Sequence, residues 1–263
     1  MFVLLSSGSL TLLFLCCSFS MQCQQSIAAS TDEHASSLSS GASNRFSAEE
    51  VAKNLEQRDQ QRATALTQIS SQRVYHMHYH GFAGDYEAEM VVEVTYRPPN
   101  AKQFRVISQS GSGFVINHIF NRLMQSEQEY GSDPQAAALN TENYEFTAAG
   151  YDSTPDGGEY VLNLSPKKKN KFLYRGKIWV DAKDFAVVRI DAEPSQNPSI
   201  WIKKTRIEHQ YKKLDGLWLP AWDHSESEMR LGGEATLSIE YKDYQITKAA
   251  RGYDFESAGA GSR

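Results

Sequence analysis

From Tyr144 to Ile246 the chain is run after run of strand-like sequence, and the breaks between runs leave room only for turns. The candidate strands are Tyr144–Tyr151, Glu159–Leu164, Phe172–Asp181, Phe185–Glu193, Ile200–Lys213, Leu217–Met229 and Glu234–Ile246. Turn signals separate them at Pro155-Asp156-Gly157-Gly158, Asp181–Asp184, Asn197-Pro198, Asp215-Gly216 and Gly232-Gly233. A parallel crossover needs about a dozen residues or more, so consecutive strands must run antiparallel. Lys204, Arg206, Glu208, Gln210 and Lys212 oppose Thr205, Ile207, His209 and Tyr211, and Ala235, Leu237, Ile239 and Tyr241 oppose Thr236, Ser238, Glu240 and Lys242. Ala186, Val188 and Ile190 alternate with Arg189 and Asp191 in the same way. One wet face and one apolar face throughout describes a single long sheet curled over its cover.

Only two segments can provide that cover. Ser47 with Glu50 three residues on is a capping box, and Phe46 with Val51 fits a hydrophobic staple. Val51, Leu55, Leu66 and Ile69 then recur at helical spacing, which predicts a first helix over Ala48–Ser71. A strand through Ala88, Met90, Val92, Val94 and Tyr96 closes at Pro98-Pro99, and Phe104–Ser108 continues as another. The second helix is expected over Phe114–Tyr130, with an apolar stripe of Val115, Ile116, Ile119, Phe120, Leu123 and Met124 and with Gly131 past its end. A long sheet with so little helical cover leaves part of its apolar face open.

Before the fold begins, Leu10–Phe19 is an apolar run too short to cross a bilayer but suited to the core of an export signal. Small residues at Ser26-Ile27-Ala28-Ala29 supply a cleavage site. The expected organisation is a signal peptide over residues 1–29, a flexible segment over 30–44, one domain over 45–248 and a flexible tail over 249–263. The expected location is the periplasm, with an outer-membrane lipoprotein as the alternative through Cys16, Cys17 or Cys23. These are the only cysteines, so the domain has neither a disulfide frame nor a thiol nucleophile. A net charge of −5 lacks the basic excess of a nucleic-acid binder.

The search for chemistry returns no catalytic motif, and the chain is read as a non-enzyme with no cofactor. His76, His78 and His80 alternate along one strand, but same-face positions lie roughly 7 Å apart and a linear run does not converge on one ion. They read as a solvent-facing ladder. Ser110-Gly111-Ser112-Gly113 before a helix lacks the lysine of a phosphate loop and reads as a turn. Lys167-Lys168-Lys169-Asn170-Lys171 is a basic hairpin tip, either simply solvated or facing anionic lipid headgroups or an acidic partner.

The stretch from Lys177 to Ile190 is a strand ending Trp179-Val180-Asp181, a short turn, and a strand ending Val188-Arg189-Ile190. It resembles the hairpin of the LolA/LolB lipoprotein-carrier superfamily, and Leu217-Trp218-Leu219-Pro220 and Leu237–Tyr241 look like that group's closing strands. The resemblance spans Phe46–Ile246. It implies a mostly β fold, an incomplete half-barrel with helices on its concave face. It also implies a non-catalytic carrier of lipoprotein acyl chains or other lipids, or alternatively a lipid- or stress-sensing module that docks on a membrane-associated protein. The expected cavity lining is Met90, Val92, Ile116, Phe120, Val188, Ile190, Ile207, Leu237 and Ile239.

Overall fold

The computed structural model describes residues 45–248, apart from residues 83, 99, 100, 133–137, 156, 171 and 198. The expected signal peptide, the 30–44 segment and the 249–263 tail lie outside the described residues.

Helix α1 (Ala48–Ala65) opens with the expected capping box: the Glu50 amide donates to Ser47 Oγ, and the Ser47 amide donates to Glu50 Oε2 at 2.7 Å. Phe46 lies edge-on to Phe185 and Tyr160. The helix stops at Ala65, not at Ser71. From Leu66 the chain is strand β1 (Leu66–Gly81), held on one side by β2 (Gly84–Arg97) and on the other by β10 (Glu234–Lys248). Register slips at Leu66/Gln68 and Ser70/Gln72 in the β1–β10 ladder break the alternation of this stretch. Leu66 and Ile69 are therefore three residues apart for a reason that belongs to a bulged strand and not to a helix.

Strand β3 (Ala101–Gly111) completes the first meander. Helix α2 follows, an α-turn at Gly113–Val115, a π-helical turn at Ile116–Phe120 and an α-helix over Asn121–Ser132. The second meander is β4 (Tyr144–Asp152), β5 (Glu159–Pro166), β6 (Tyr174–Asp181), β7 (Val187–Pro194), β8 (Ile202–Leu214), β9 (Leu217–Met229) and β10. All ten strands join one antiparallel sheet in the order β3-β2-β1-β10-β9-β8-β7-β6-β5-β4. Its edges, β3 and β4, do not pair with each other, so the curved sheet is an open half-barrel.

Two cores fill its inner side. α1 brings Val51 and Leu55 onto Tyr144, Leu162, Leu164, Ile178 and Ile190 of the β4–β8 half. α2 brings Ile116, Phe120 and Leu123 onto Tyr75, Met90, Val92, Leu237 and Ile239 of the β1–β2–β10 half. In β7 the register slips opposite Trp179/Val180, which turns Val187 inward beside Ile190 and Ala192. The expected inward series Ala186–Val188–Ile190 is therefore interrupted by a bulge, and Val188, though buried, joins neither core.

On the outer side charged residues form cross-strand pairs such as Arg206–Asp191 at 2.8 Å and Lys204–Glu193 at 2.8 Å. His76, His78 and His80 are exposed there, opposite Glu89, Glu87 and Asp85 of β2. Among the described residues, no group of three His, Cys, Asp or Glu side chains converges to hold a metal. No helix among them is long and apolar enough to cross a membrane.

Candidate functional site

Strands β9 and β10 pair only from Glu228↔Glu234 to Trp222↔Glu240. Beyond that point they splay. Just past the last pair, β9 carries Pro220, which has no N–H to donate to a ladder, and in β10 Asp243 adopts a left-handed φ of 51°, where the β1–β10 register slips between Ser70 and Gln72. Asp tolerates that conformation better than most side chains. The splay leaves a cleft of about 140 Å³ on the inner side, at the seam between the two cores.

Its walls are largely apolar. Leu66 and Ile69 come from β1, Val94 and Tyr96 from β2, Leu217 and Leu219 from β9, and Tyr241 and Tyr244 from β10. The C-terminal part of α1 contributes Asp59 and Arg62, which bond to each other, and Arg62 also donates to the carbonyls of Asp184 and Phe185. Tyr244 Oη donates to the Pro220 carbonyl at 2.7 Å and holds the splayed strands at a fixed separation.

A charged floor underlies this apolar slot. Arg73 on β1 is 6% exposed and lines the cleft. Its Nη1 donates to both carboxylate oxygens of Glu127 on α2, at 2.8 and 2.9 Å. Lys102 on β3 reaches the same carboxylate at 3.1 Å. Three elements are thus tied through one buried anion, and two cations share it. Burial alone pushes the Glu127 carboxyl up, but Arg73 and then Lys102 pull it down further, and the net direction is downward. Because Glu127 holds its proton less tightly when folded, its contribution is complete above its unfolded value near 4.5 and is lost as pH falls below that. Urea midpoints measured from pH 7 to pH 3 are expected to fall as the pH drops below about 4.5, and less steeply in Glu127→Gln.

Next to this triad the Arg73 guanidinium lies 5.2 Å from the ring centre of Tyr241. Tyr241 Oη donates to Asp223 Oδ2 at 2.5 Å, and Asp223 Oδ1 meets His209 Nδ1 at 2.6 Å. All four residues are buried. Burial and the neighbouring Asp223 carboxylate raise the Tyr241 phenol well above its ordinary value, so it remains a donor. An Asp-oriented histidine suggests acid–base chemistry. His209 Nε2, however, is buried without a hydrogen-bond partner among the described residues, so no hydroxyl or thiol there is engaged by it. Of these four residues Arg73 and Tyr241 border the cleft, and His209 and Asp223 do not.

None of the nine residues expected to line a cavity borders this cleft. Met90, Val92, Ile116, Phe120, Leu237 and Ile239 form the close-packed core beneath α2. Ile190 and Ile207 belong to the core beneath α1, and Val188 to neither. The sequence reading missed Arg73, Lys102, Glu127 and Asp223. It placed His209 and Tyr241 on the inner face without assigning them a role. The available signal was their phase: Arg73 stands in step with Tyr75 and Met77, the inward residues of β1.

No family model and no curated protein matches the chain. Solved structures do resemble it. A DUF1329 family protein from Desulfovibrio piger is 14% identical, covers 77% of this chain and 94% of its own, and has a TM-score of 0.40. A domain described as an outer membrane lipoprotein-sorting protein, from Vibrio parahaemolyticus, is 12% identical over 74% of this chain and 93% of its own, with a TM-score of 0.37. A LolA superfamily protein from Nitrosomonas europaea is 13% identical over 77% of this chain and 94% of its own, at a TM-score of 0.33.

Proposed function

We propose that this chain is a binding protein, not an enzyme, which takes the acyl portion of a lipid or lipoprotein into the inner face of its half-barrel after export to the bacterial envelope. The observation that carries the reading is the cleft where β9 and β10 part, apolar on its walls and open between two separately packed cores. Burial of an acyl chain contributes roughly 0.8 kcal/mol per methylene, so a few turns of chain in such a slot give useful affinity without any specific polar contact. The cleft alone holds part of a chain. In this reading the remainder meets the apolar surface beneath α2 as that helix lifts: Met90, Val92, Leu237 and Ile239 on the sheet, Ile116 and Phe120 on the helix itself, with Val188, Ile190 and Ile207 extending the same face. The π-helical turn at Ile116–Phe120 fits a functional role for this helix, because such turns are rare and frequent at functional sites.

The test is titration of the purified protein with a fluorescent fatty-acyl probe. The wild type is expected to bind, and Ile69→Asp to weaken binding at least about tenfold by placing an unpaired carboxylate against the chain. Lys204→Glu, on the outer face, is expected to leave probe binding unchanged. A wild type that binds no probe, and that carries no amphiphile in native mass spectrometry, ends this reading.

A further inference from the structure

The antiparallel topology divides the loops into two rims. At one rim lie the β1–β2, β5–β6, β7–β8 and β9–β10 connections and the start of α2; at the other lie the β2–β3, β4–β5, β6–β7 and β8–β9 turns. Exposed large apolar side chains are not shared evenly between them. Phe82 (92% exposed), Ile200 (78%), Leu231 (71%), Phe114 (51%) and Trp201 (37%) all occupy the first rim. Each sits on a different connection apart from the adjacent pair Ile200 and Trp201. The exposed Lys167, Lys168 and Lys169 stand on that rim as well. Both rims are mixed in charge, the first with Asp85, Glu142 and Glu234 and the opposite one with Asp152, Asp215, Arg97, Lys183, Lys213 and Lys248, so what sets the first apart is its lysine run and its apolar residues; the opposite rim's one exposed large apolar residue among those described is Phe46.

The first rim is also continuous. Lys167 N donates to the Asn143 carbonyl at 2.8 Å, and Ser195 Oγ to the Asn170 carbonyl at 2.7 Å. Arg230 N donates to the Trp201 carbonyl at 2.8 Å, and Tyr86 places its ring 6.2 Å from that of Phe114. The three hydrogen bonds link four connections side to side, the one before β4, β5–β6, β7–β8 and β9–β10, and the ring contact ties β2 to the start of α2, where isolated hairpin tips would move independently.

We infer that this rim docks on an anionic lipid bilayer, with Phe82, Phe114, Ile200, Trp201 and Leu231 entering the interface and Lys168 and Lys169 meeting phosphate headgroups. Single exposed apolar residues are ordinary on any protein. Five on one rim, beside a run of lysines, form the combination that interfacial binding requires: apolar side chains to partition and cations to meet a negative surface. A protein partner would favour a contiguous apolar patch with a polar border. Here the apolar residues stand on separate loops, a form a fluid surface accommodates more readily than a rigid one. The inference does not depend on what the cleft binds, since the cleft lies toward the opposite rim, among residues of the β2–β3, β6–β7 and β8–β9 ends.

Tryptophan emission of the full chain, titrated with vesicles containing brominated phosphatidylglycerol, tests it. The tryptophans are Trp179, Trp201, Trp218 and Trp222, all outside the apolar run Leu10–Phe19, and Trp218 borders the cleft, so every protein compared carries Trp218→Phe and a brominated chain taken into the cleft has no tryptophan lining it. Quenching is expected in the otherwise wild-type chain and is expected to disappear in Trp201→Phe, a change that leaves the Arg230 backbone bond intact. Lys168→Gln with Lys169→Gln is expected to lower partitioning on the order of 30-fold, at about one kcal/mol for each lysine near the surface. Both lysines are exposed, so circular dichroism should be unaltered. The inference is overturned if no quenching occurs, if quenching survives in Trp201→Phe, or if brominated phosphatidylcholine alone quenches the otherwise wild-type chain equally. Acyl-probe binding in the cleft is a separate measurement, and either result can fail without the other.

Discussion

Glu127→Ala is expected to lower the free energy of unfolding by about 3–5 kcal/mol, the usual cost of removing one partner from a buried ion pair. The cost comes from what is left behind. Arg73 and Lys102 are both nearly inaccessible, and they share this carboxylate. Without it two cations remain under α2 with one anion fewer to face them. Converting the whole triad to apolar residues, Arg73→Met with Lys102→Met and Glu127→Leu, is expected to recover most of that loss, because a buried ion network often contributes little net stability over a packed apolar equivalent. Urea unfolding followed by far-ultraviolet circular dichroism reads both. A Glu127→Ala loss under about 1 kcal/mol would mean that the carboxylate is solvated and that α2 is not seated on the sheet as described.

Phe120→Ala carries the second large effect, again about 3–5 kcal/mol. The ring is fully buried beneath the π-helical turn, 5.8 Å from the ring of Tyr75, and Met90, Val92 and Leu237 surround it in the same core. Truncation leaves a cavity in the one core that holds α2, so hydrogen exchange in residues 113–127 should accelerate more than exchange in α1. Phe82→Ala, at the β1–β2 hairpin, is the matched control and should stay within about 0.5 kcal/mol of the wild type. Equal exchange in both helices of the Phe120 variant would show that the two cores unfold as one, and would count against α2 moving on its own to admit a ligand.

The sheet was legible in the sequence because alternation and short turns act locally. Leu217–Met229 is read to the residue, and the opposition of Thr205, Ile207 and His209 to Lys204, Arg206 and Glu208 is the opposition found. Misreadings fall at bulges. Leu66 to Ser71 looked helical because two register slips remove the period of two, and Val188 was placed inward because a slip opposite Val180 gives that position to Val187. A bulge is set by the partner strand, which a linear pattern does not contain. The cleft was hidden for the same reason. It depends on where β10 leaves β9, and on charged residues from β1, β3 and α2 meeting across distances that spacing does not encode. What could have been read is the anomaly of Arg73 in an inward phase, since a buried arginine requires a partner from another element.

Strand β1 stands in the middle of the sheet, yet one of its two neighbours there, β10, is the last strand of the fold. The early hairpins β1–β2–β3 and the meander β4–β9 can each form as the chain becomes available, but no strand pairing joins them until Glu234–Lys248 arrives, and before that only the packing of α1 onto the β4–β8 half links the two. Completion of the protein is therefore a late event governed by a contact between its first and last strands, the kind of non-local pairing that slows folding. Until then β1 and β9 each present an unpaired ladder, and a fragment ending before Glu234 would keep both exposed to other chains. The sheet of a newly made chain remains in two parts until β10 arrives, so the time before that strand is available is also the time in which the chain is most prone to aggregate.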